Sequence, residues 1–446
     1  MTSPVRATTP RNWNAIIDDI LAGRWIDPET DRPANVPCKT IYLAEDLDGA
    51  EADLIASMDL GDAIAVVSDS NTRDAQGARI AKATRPHDDV VLQDRVSPNE
   101  ATVAALRERT KSASGIVAVG SGSLTDACKF AAHLDGKPMA TFGTAASMNG
   151  YAAASASITL QSGLKASLPA AAPRGLFLDL KVSAEAPSWL SAAGLGDSLC
   201  RPTAQIDWWA SHRLFKTPYS RTPYVLQEAD EPDMFATADA LTSRDMDAVG
   251  VLQRVLTLCG LGVCFTGTSN HGSMGEHLIS HWLDMFAGRQ HPGTVHGQQV
   301  GVASLAMARL QAQIIAMDDP PRIKPSGVDE LDLARRYGPE LGRLCAAEMK
   351  AKALNRSDVE DFNRHLADIW PKLRQELRAF ALPVADMERA LRDAGGATTG
   401  RELGLSPELW GDALRHGREI RRRWSFLDLA ADAGLLEPFI EQEIAR

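Results

Sequence analysis

The chain of 446 residues has only six cysteines and five tyrosines, and it has no excess of positive charge. The cysteines, at 38, 128, 200, 259, 264 and 345, form no Cys-x-x-Cys pair and no close framework. This speaks against a disulfide-stapled scaffold and reads as reduced thiols in the cytoplasm. The 47 basic residues are outnumbered by 58 acidic ones, giving a net charge of −11. That argues against a nucleic-acid binder, which needs a basic face. It does not oppose phosphate binding, because a pocket needs only local cations and backbone donors, and the acidic total reads as a solvated surface. The N-terminus lacks the apolar stretch of a secretory signal. The most apolar window, 249–267, is broken by Gln253 and Arg254 and is too short to span a membrane convincingly, so it reads as a buried helix and no membrane insertion is expected.

What is present is ordinary for a globular enzyme: 44% hydrophobic and 24% charged residues, enough chain for two to three domains, and no solenoid repeat. Residues 1–38 form an extension with a helical pattern at 13–21 followed by a proline-rich stretch, a segment expected to pack against the body or a partner subunit. From 39 to 182, short β-rich runs at 40–43, 63–67, 90–92, 116–119, 139–142 and 175–179 alternate with helical stretches. That alternation predicts a mainly parallel sheet with covering helices, a Rossmann-like domain. The polar–apolar alternation near 155–160 suggests an added hairpin. Residues 183–446 show long helical periods, at 248–258, 303–315, 329–337, 359–380, 384–393 and 407–423, and predict an all-α domain. Arg421-Arg422-Arg423 reads as a solvated helix face or a partner of the helix dipole.

Three segments carry chemistry. In Gly275-Glu-His-Leu-Ile-Ser-His281, His277 and His281 are spaced i, i+4 and share one helix face, and His296-Gly297 follows fifteen residues later. Either both histidines of the pair bind a metal, or one binds and the other faces substrate. Gly194-Leu-Gly-Asp197 adds a carboxylate, expected in the first turn of a helix after Pro187. Asp197, His277 and His296 then make a three-ligand site with a coordination position left open. The set accepts zinc first, and nickel, iron or cobalt as well. Cys200, three residues on, reads as a small buried thiol rather than a fourth ligand.

Gly120-Ser121-Gly122-Ser123-Leu124-Thr125-Asp126 follows the strand-like run at 116–119 and opens a helix, so free N–H groups and the helix dipole are available to a phosphate. The third glycine of the dinucleotide fingerprint is missing. In the third segment, 140–151, Thr144 and Ser147 offer hydroxyls for a ribose or a nicotinamide amide, and the same residues also suit a plain turn.

Taken in order, these segments resemble the sn-glycerol-1-phosphate dehydrogenases, within the larger group of glycerol dehydrogenases, iron-containing alcohol dehydrogenases and dehydroquinate synthases. The likeness runs from about residue 40 to the end. It also rests on Lys165-Ala-Ser-Leu-Pro-Ala170, on His296-Gly-Gln-Gln-Val-Gly301, and on 419–428, which looks like the family's final helix. It implies that Asp197, His277 and His296 hold a divalent metal, that Asp197 and His281 act at the substrate, and that residues 120–126 with Thr144 and Ser147 hold NAD or NADP. Asp69, after the run at 63–67, is a candidate for the adenosine ribose. It implies further that a ketose phosphate such as dihydroxyacetone phosphate is interconverted with a polyol phosphate such as sn-glycerol 1-phosphate, and that subunits pair. Lys165 and Arg201 are candidates for the substrate phosphate. Two departures bear on the substrate: Asn149 stands where the family commonly has aspartate, and Ala153 stands where it commonly has serine. Asn149 both donates and accepts hydrogen bonds, where aspartate only accepts. Two other readings share these residues: a dehydroquinate-synthase-like sugar-phosphate cyclase, and a catalytically silent dinucleotide-binding relative.

Overall fold

The computed structural model describes residues 11–93 and 96–446, so residues 1–10 of the expected N-terminal extension lie outside the described part. Among the described residues ten strands occur in chain order: β1 Ile26–Asp27, β2 Arg32–Pro33, β3 Thr40–Ala44, β4 Ile64–Asp69, β5 Asp88–Leu92, β6 Gly115–Gly120, β7 Met139–Gly143, β8 Ser155–Thr159, β9 Lys165–Pro169 and β10 Gly175–Asp179. Six of them form one sheet in the order β3-β10-β7-β6-β4-β5. All its pairings are parallel, with Ala118 opposite Thr141 and Leu178 opposite Gly143, for example. All six runs predicted from the sequence are strands of this sheet.

Alternation along the strands supplies two cores. Val67, Ile116, Ala118 and Met139 face the Gly122–Leu134 helix through Leu124, Ala127 and Ala131. Val66, Val117, Val119 and Phe142 face the other way, against Ile55, Ile80 and Phe177. From β4 the chain runs outward to β5, then returns to β6 and proceeds the opposite way to β7. The strand order therefore reverses between β4 and β6, and the carboxyl ends of those two strands are where open α/β sheets take ligands.

β8 and β9 form the suggested antiparallel hairpin, with Ser157 opposite Ser167 and Thr159 opposite Lys165. Its Ala156 and Ile158 pack with Ala127 and Ala131. Its Ser155, Ser157, Lys165 and Ser167 line a cleft on the other face.

No strand follows Asp179 among the described residues. The helical part centres on a cluster around Ile279, Val302, Leu366, Trp370 and Leu427. The apolar window is the Met246–Thr266 helix, the one described helix long and apolar enough to cross a membrane, and 78% of its window is buried inside the molecule. The Ala15–Leu21 helix lies against it. Ile17 and Ile20 are buried with Val249 and Leu252, the Trp13 ring covers Gly250, and Arg254 donates to the Trp13 carbonyl.

Three local expectations are corrected. Pro187 caps the Ser188–Ser198 helix, so Asp197 falls in its last turn and not its first. The helix expected over 407–423 ends at His416, because Gly417 presses on the Ile279 backbone, where a Cβ would lie 3.1 Å from Ile279 Cα. Residues 419–428 are consequently not one helix: a short 3-10 turn, Gly417–Glu419, and an irregular stretch lead to Ser425. Ser425 instead caps a new helix, Phe426–Ala433, through a capping box with Asp428, and a further helix, Leu436–Ile444, comes after it.

Candidate active site

The cleft lies between the carboxyl end of the sheet and the helical part, with about 1150 Å³ of empty space, mouth included. Its floor is set by two helices in backbone contact. A Cβ on Gly297 would meet Ala193 O at 2.1 Å, and one on Gly196 would meet Gly297 O at 2.3 Å. Only glycine permits this approach. It brings Asp197, near the end of one helix, to His296, the first residue of the His296–Ala316 helix. His277 arrives from the first turn of the Gly275–Phe286 helix.

Ligand atoms of Asp197, His277 and His296 lie within 4.8 Å of one another. Asp197 Oδ1 is 3.6 Å from His277 Nε2 and 3.9 Å from His296 Nε2. It is buried without a hydrogen-bond partner, whereas Oδ2 accepts from Asn149 N at 3.0 Å. An orphaned carboxylate oxygen facing two imidazole nitrogens is a donor set that a divalent cation completes. The tautomers agree. His277 Nδ1 is 3.0 Å from Glu276 Oε1, a pure acceptor, so Nδ1 carries the proton and Nε2 keeps its lone pair. Ser280 Oγ donates to Gln299 Oε1 at 2.8 Å, so it accepts from His296 Nδ1 at 3.1 Å, and that Nε2 is free as well. These partners fix ring orientation as carboxylate and hydroxyl neighbours of metal-bound histidines do.

Charge follows the same plan. Burial pushes the Asp197 carboxyl up, but the nearby His277 and His296 and the Asn149 N–H outweigh it and hold it below the usual carboxylate range. Burial also presses on His277, yet the Asp197 carboxylate facing it and its bond to Glu276 raise it. Burial, aided by His277 and Lys165, pulls His296 down to about 3. His281 lies outside the three-ligand group. Burial and the charges of Arg421 and Lys165 hold it neutral, and its Nδ1 has no partner. Cys200 Sγ, Glu276 and His277 also approach within 4.8 Å. Burial pushes that thiol's pKa up, and it donates to Gly272 O at 3.3 Å.

At the other end of the cleft, Ser121 precedes the Gly122–Leu134 helix without capping it, which leaves the first-turn N–H groups without a side-chain partner. Ser121, Gly122, Ser123, Asp126, Ser147 and Asn149 line the cleft. Gly120, Leu124, Thr125 and Thr144 do not. The helical turn rotates Leu124 and Thr125 toward the sheet, and Thr144 is buried behind β6, its N–H on Gly120 O. Asp126 accepts from Ser157 N at 2.9 Å and lies 3.5 Å from buried Lys129, tying the helix to the hairpin. Asp69, at the carboxyl end of β4, accepts from Thr72 N as a helix cap. Lys165 lines the cleft and pairs with Asp284. Arg201 does not reach the cleft; it is held by Glu231 at 2.8 Å over the Tyr224 ring. Sequence reasoning passed over Glu276 and Ser280 and took Arg421 for part of a solvated helix face or a dipole partner, whereas residues 421–423 lie outside any helix. In the irregular stretch before Ser425, Arg421 lines the cleft and Arg423 donates inward to Ser273 and Ser269, while Arg422 pairs with Glu348 at the surface.

A parallel-sheet half with a glycine turn, an all-helical half with an Asp-His-His group, and a cleft between them is the architecture of the iron-containing alcohol dehydrogenases. The family model of that description, iron-containing alcohol dehydrogenase, matches residues 42–187. The probable glycerol dehydrogenase of Sinorhizobium meliloti superposes with a TM-score of 0.61 at 17% identity, covering 92% of this chain and 98% of that one, which establishes the fold. The glycerol-1-phosphate dehydrogenase [NAD(P)+] of Bacillus subtilis is 31% identical over 310 residues, 69% of this chain and 67% of the relative. That of Bacillus velezensis is 27% identical over 374 residues, 82% of this chain and 84% of the relative. The chain belongs to the glycerol-1-phosphate dehydrogenase family and is an NAD(P)-dependent oxidoreductase acting on CH–OH groups.

Proposed function

We propose that the enzyme interconverts a ketose phosphate of the dihydroxyacetone phosphate kind with a polyol phosphate of the sn-glycerol 1-phosphate kind, using NAD or NADP and one divalent metal, zinc in the first instance. The observation that carries this reading is the unpartnered Asp197 Oδ1, set among His277 and His296 Nε2 in the same cleft as the Gly122 helix start. Asp197, His277 and His296 would hold the metal, and Gly122 and Ser123, with Ser121 and Ser147, would hold the dinucleotide. When bound, these groups supply Lewis-acid polarisation of the reacting oxygen and a hydride donor or acceptor.

The chain's own residues orient and protect the reaction. Glu276 and the Ser280–Gln299 pair keep both Nε2 lone pairs aimed into the cleft. The Asn149 N–H holds Asp197 Oδ2, so that only Oδ1 is offered. His281, neutral and with Nδ1 unpartnered, is placed to exchange a proton with the substrate oxygen directly or through water.

The test is loss of reduced-nicotinamide absorbance with dihydroxyacetone phosphate, using metal-stripped protein resupplied with zinc or nickel. Metal-dependent consumption is expected from the wild type and none from His277→Ala. Consumption that persists at full rate in His277→Ala would overturn the assignment, and turnover of a sugar phosphate with no net absorbance change would point to a cyclase.

A further inference from the structure

The cleft wall formed by β9 and the stretch before Ser425 carries an unbalanced pair of cations. Arg418 is bound by Asp428 and Asp432, Arg422 by Glu348, and Arg423 by Ser269 and Ser273. Arg421 alone among these four makes neither an ion pair nor a hydroxyl contact. Its single hydrogen bond is from Nη2 to the Lys165 carbonyl, at 3.1 Å. A guanidinium has five N–H donors, so most of its fork is uncommitted. It is not a solvated surface arginine, since it lines the same cleft as His281 and the Asp-His-His group.

Lys165, whose carbonyl it touches, has its ammonium on Asp284. That carboxylate is shared again with Gln299 and His291. Two cations on this wall are therefore met by one carboxylate. On the facing hairpin strand, Ser157 lines the cleft with its Oγ buried and without a partner. Cations withdrawn from water without a matching anion are costly, and a planar fork beside a flexible ammonium suits phosphate oxygens better than a single carboxylate or a neutral hydroxyl.

We infer that Arg421 and Lys165 together form the subsite for the substrate's phosphate dianion, with Arg421 as the forked donor and Lys165 as the second charge. The inference rests on the polyol-phosphate reading above and gives this role to Arg421 in place of Arg201. With the phosphate against this wall, the carbonyl end of a three-carbon ketose is left to the region of His281 and Asp197.

The experiment compares the holoenzyme with Arg421→Gln, Arg421→Lys and Lys165→Gln on dihydroxyacetone phosphate and on unphosphorylated dihydroxyacetone. The ratio of kcat/KM for the two ketones should fall about 10- to 100-fold in Arg421→Gln, the loss of a charge-assisted hydrogen bond, and mainly through KM. Arg421→Lys should recover part of it, and Lys165→Gln should lower the ratio as well. An unchanged ratio, whether both activities hold or both fall together, overturns the subsite. Calorimetric titration of the holoenzyme with inorganic phosphate reads the same site without turnover. Binding by the wild type and its loss in Arg421→Gln are expected; no binding by the wild type, or equal binding by both, overturns it. Wild-type protein that binds phosphate in this way but reduces neither ketone would refute the proposed substrate and leave the anion subsite standing.

Discussion

Gly297→Ala tests the idea that the metal site depends on direct backbone contact between two helices. The added methyl would lie 2.1 Å from Ala193 O and 2.7 Å from Ala193 C, both atoms of main chain that cannot rotate aside. An ordinary carbon–oxygen contact needs about 3.3 Å, so the helices must separate by roughly 1 Å. One of them carries Asp197 and the other carries His296, now 3.9 Å apart at their facing atoms. Ligand distances tolerate only about ±0.2 Å, so the displaced site should lose on the order of 100-fold in metal affinity. The fold itself should lose only about 1–3 kcal/mol to overpacking. Competition with a chromophoric chelator gives the first quantity, and urea denaturation of metal-free protein gives the second. Gly327→Ala, where a methyl meets nothing within 4 Å, is the control and should change neither. Folded Gly297→Ala with wild-type metal affinity would refute the argument.

Ser280→Ala removes the acceptor for His296 Nδ1–H and should weaken metal binding about tenfold, measured by the same chelator competition. His271 is held near 4 by burial, against the pull of the Cys259 carbonyl and with help from Arg423, while its unfolded value is 6.5. Above pH 6.5 neither state binds the proton and its contribution is complete. Between 6.5 and about 4 only the unfolded chain takes it up, so about 3 kcal/mol is lost as pH falls. His271→Gln should therefore flatten this limb in denaturation of metal-free protein between pH 7 and 4.5. Asp207 opposes it in both proteins: burial and Glu276 push its carboxyl up to about 8, which favours the fold at lower pH. Trp13→Ala, stripping a ring 6% exposed from above Gly250, should cost about 3–5 kcal/mol and lower the melting temperature; an unchanged melting point would show that the N-terminal helix is not part of the cooperative unit.

The sheet was legible because its strands are apolar, β-branched and separated by helical stretches, and the Gly120-Ser-Gly122 turn marks where one strand passes into a helix. The Asp197, His277 and His296 group was legible as residue types at suggestive spacing, and the structure brings those three together. The position of Asp197 in its helix was not, because Pro187 marks a helix start but says nothing about which turn meets a partner. Arg201 and Arg421 departed from expectation for one reason. A cation's role depends on whether a carboxylate lies across from it, and Glu231 and Glu348 are distant in sequence from the arginines they hold. Glu276 was hidden in plain view beside His277, its side chain turned back to the Met274 N–H and the imidazole.

The cleft draws on residues from Pro98 to Arg421, and this spread sets an order of events on the ribosome. The parallel sheet is complete in sequence at Asp179. Its last cleft-lining partner emerges more than half the chain later, roughly 10–50 s at ordinary synthesis rates. For that interval the nascent sheet presents an open carboxyl edge, with the proposed dinucleotide contacts but without the proposed reaction centre. The proposed nucleotide contacts therefore emerge first, the proposed metal ligands are complete at His296, and the cleft wall closes only once Arg421 has followed.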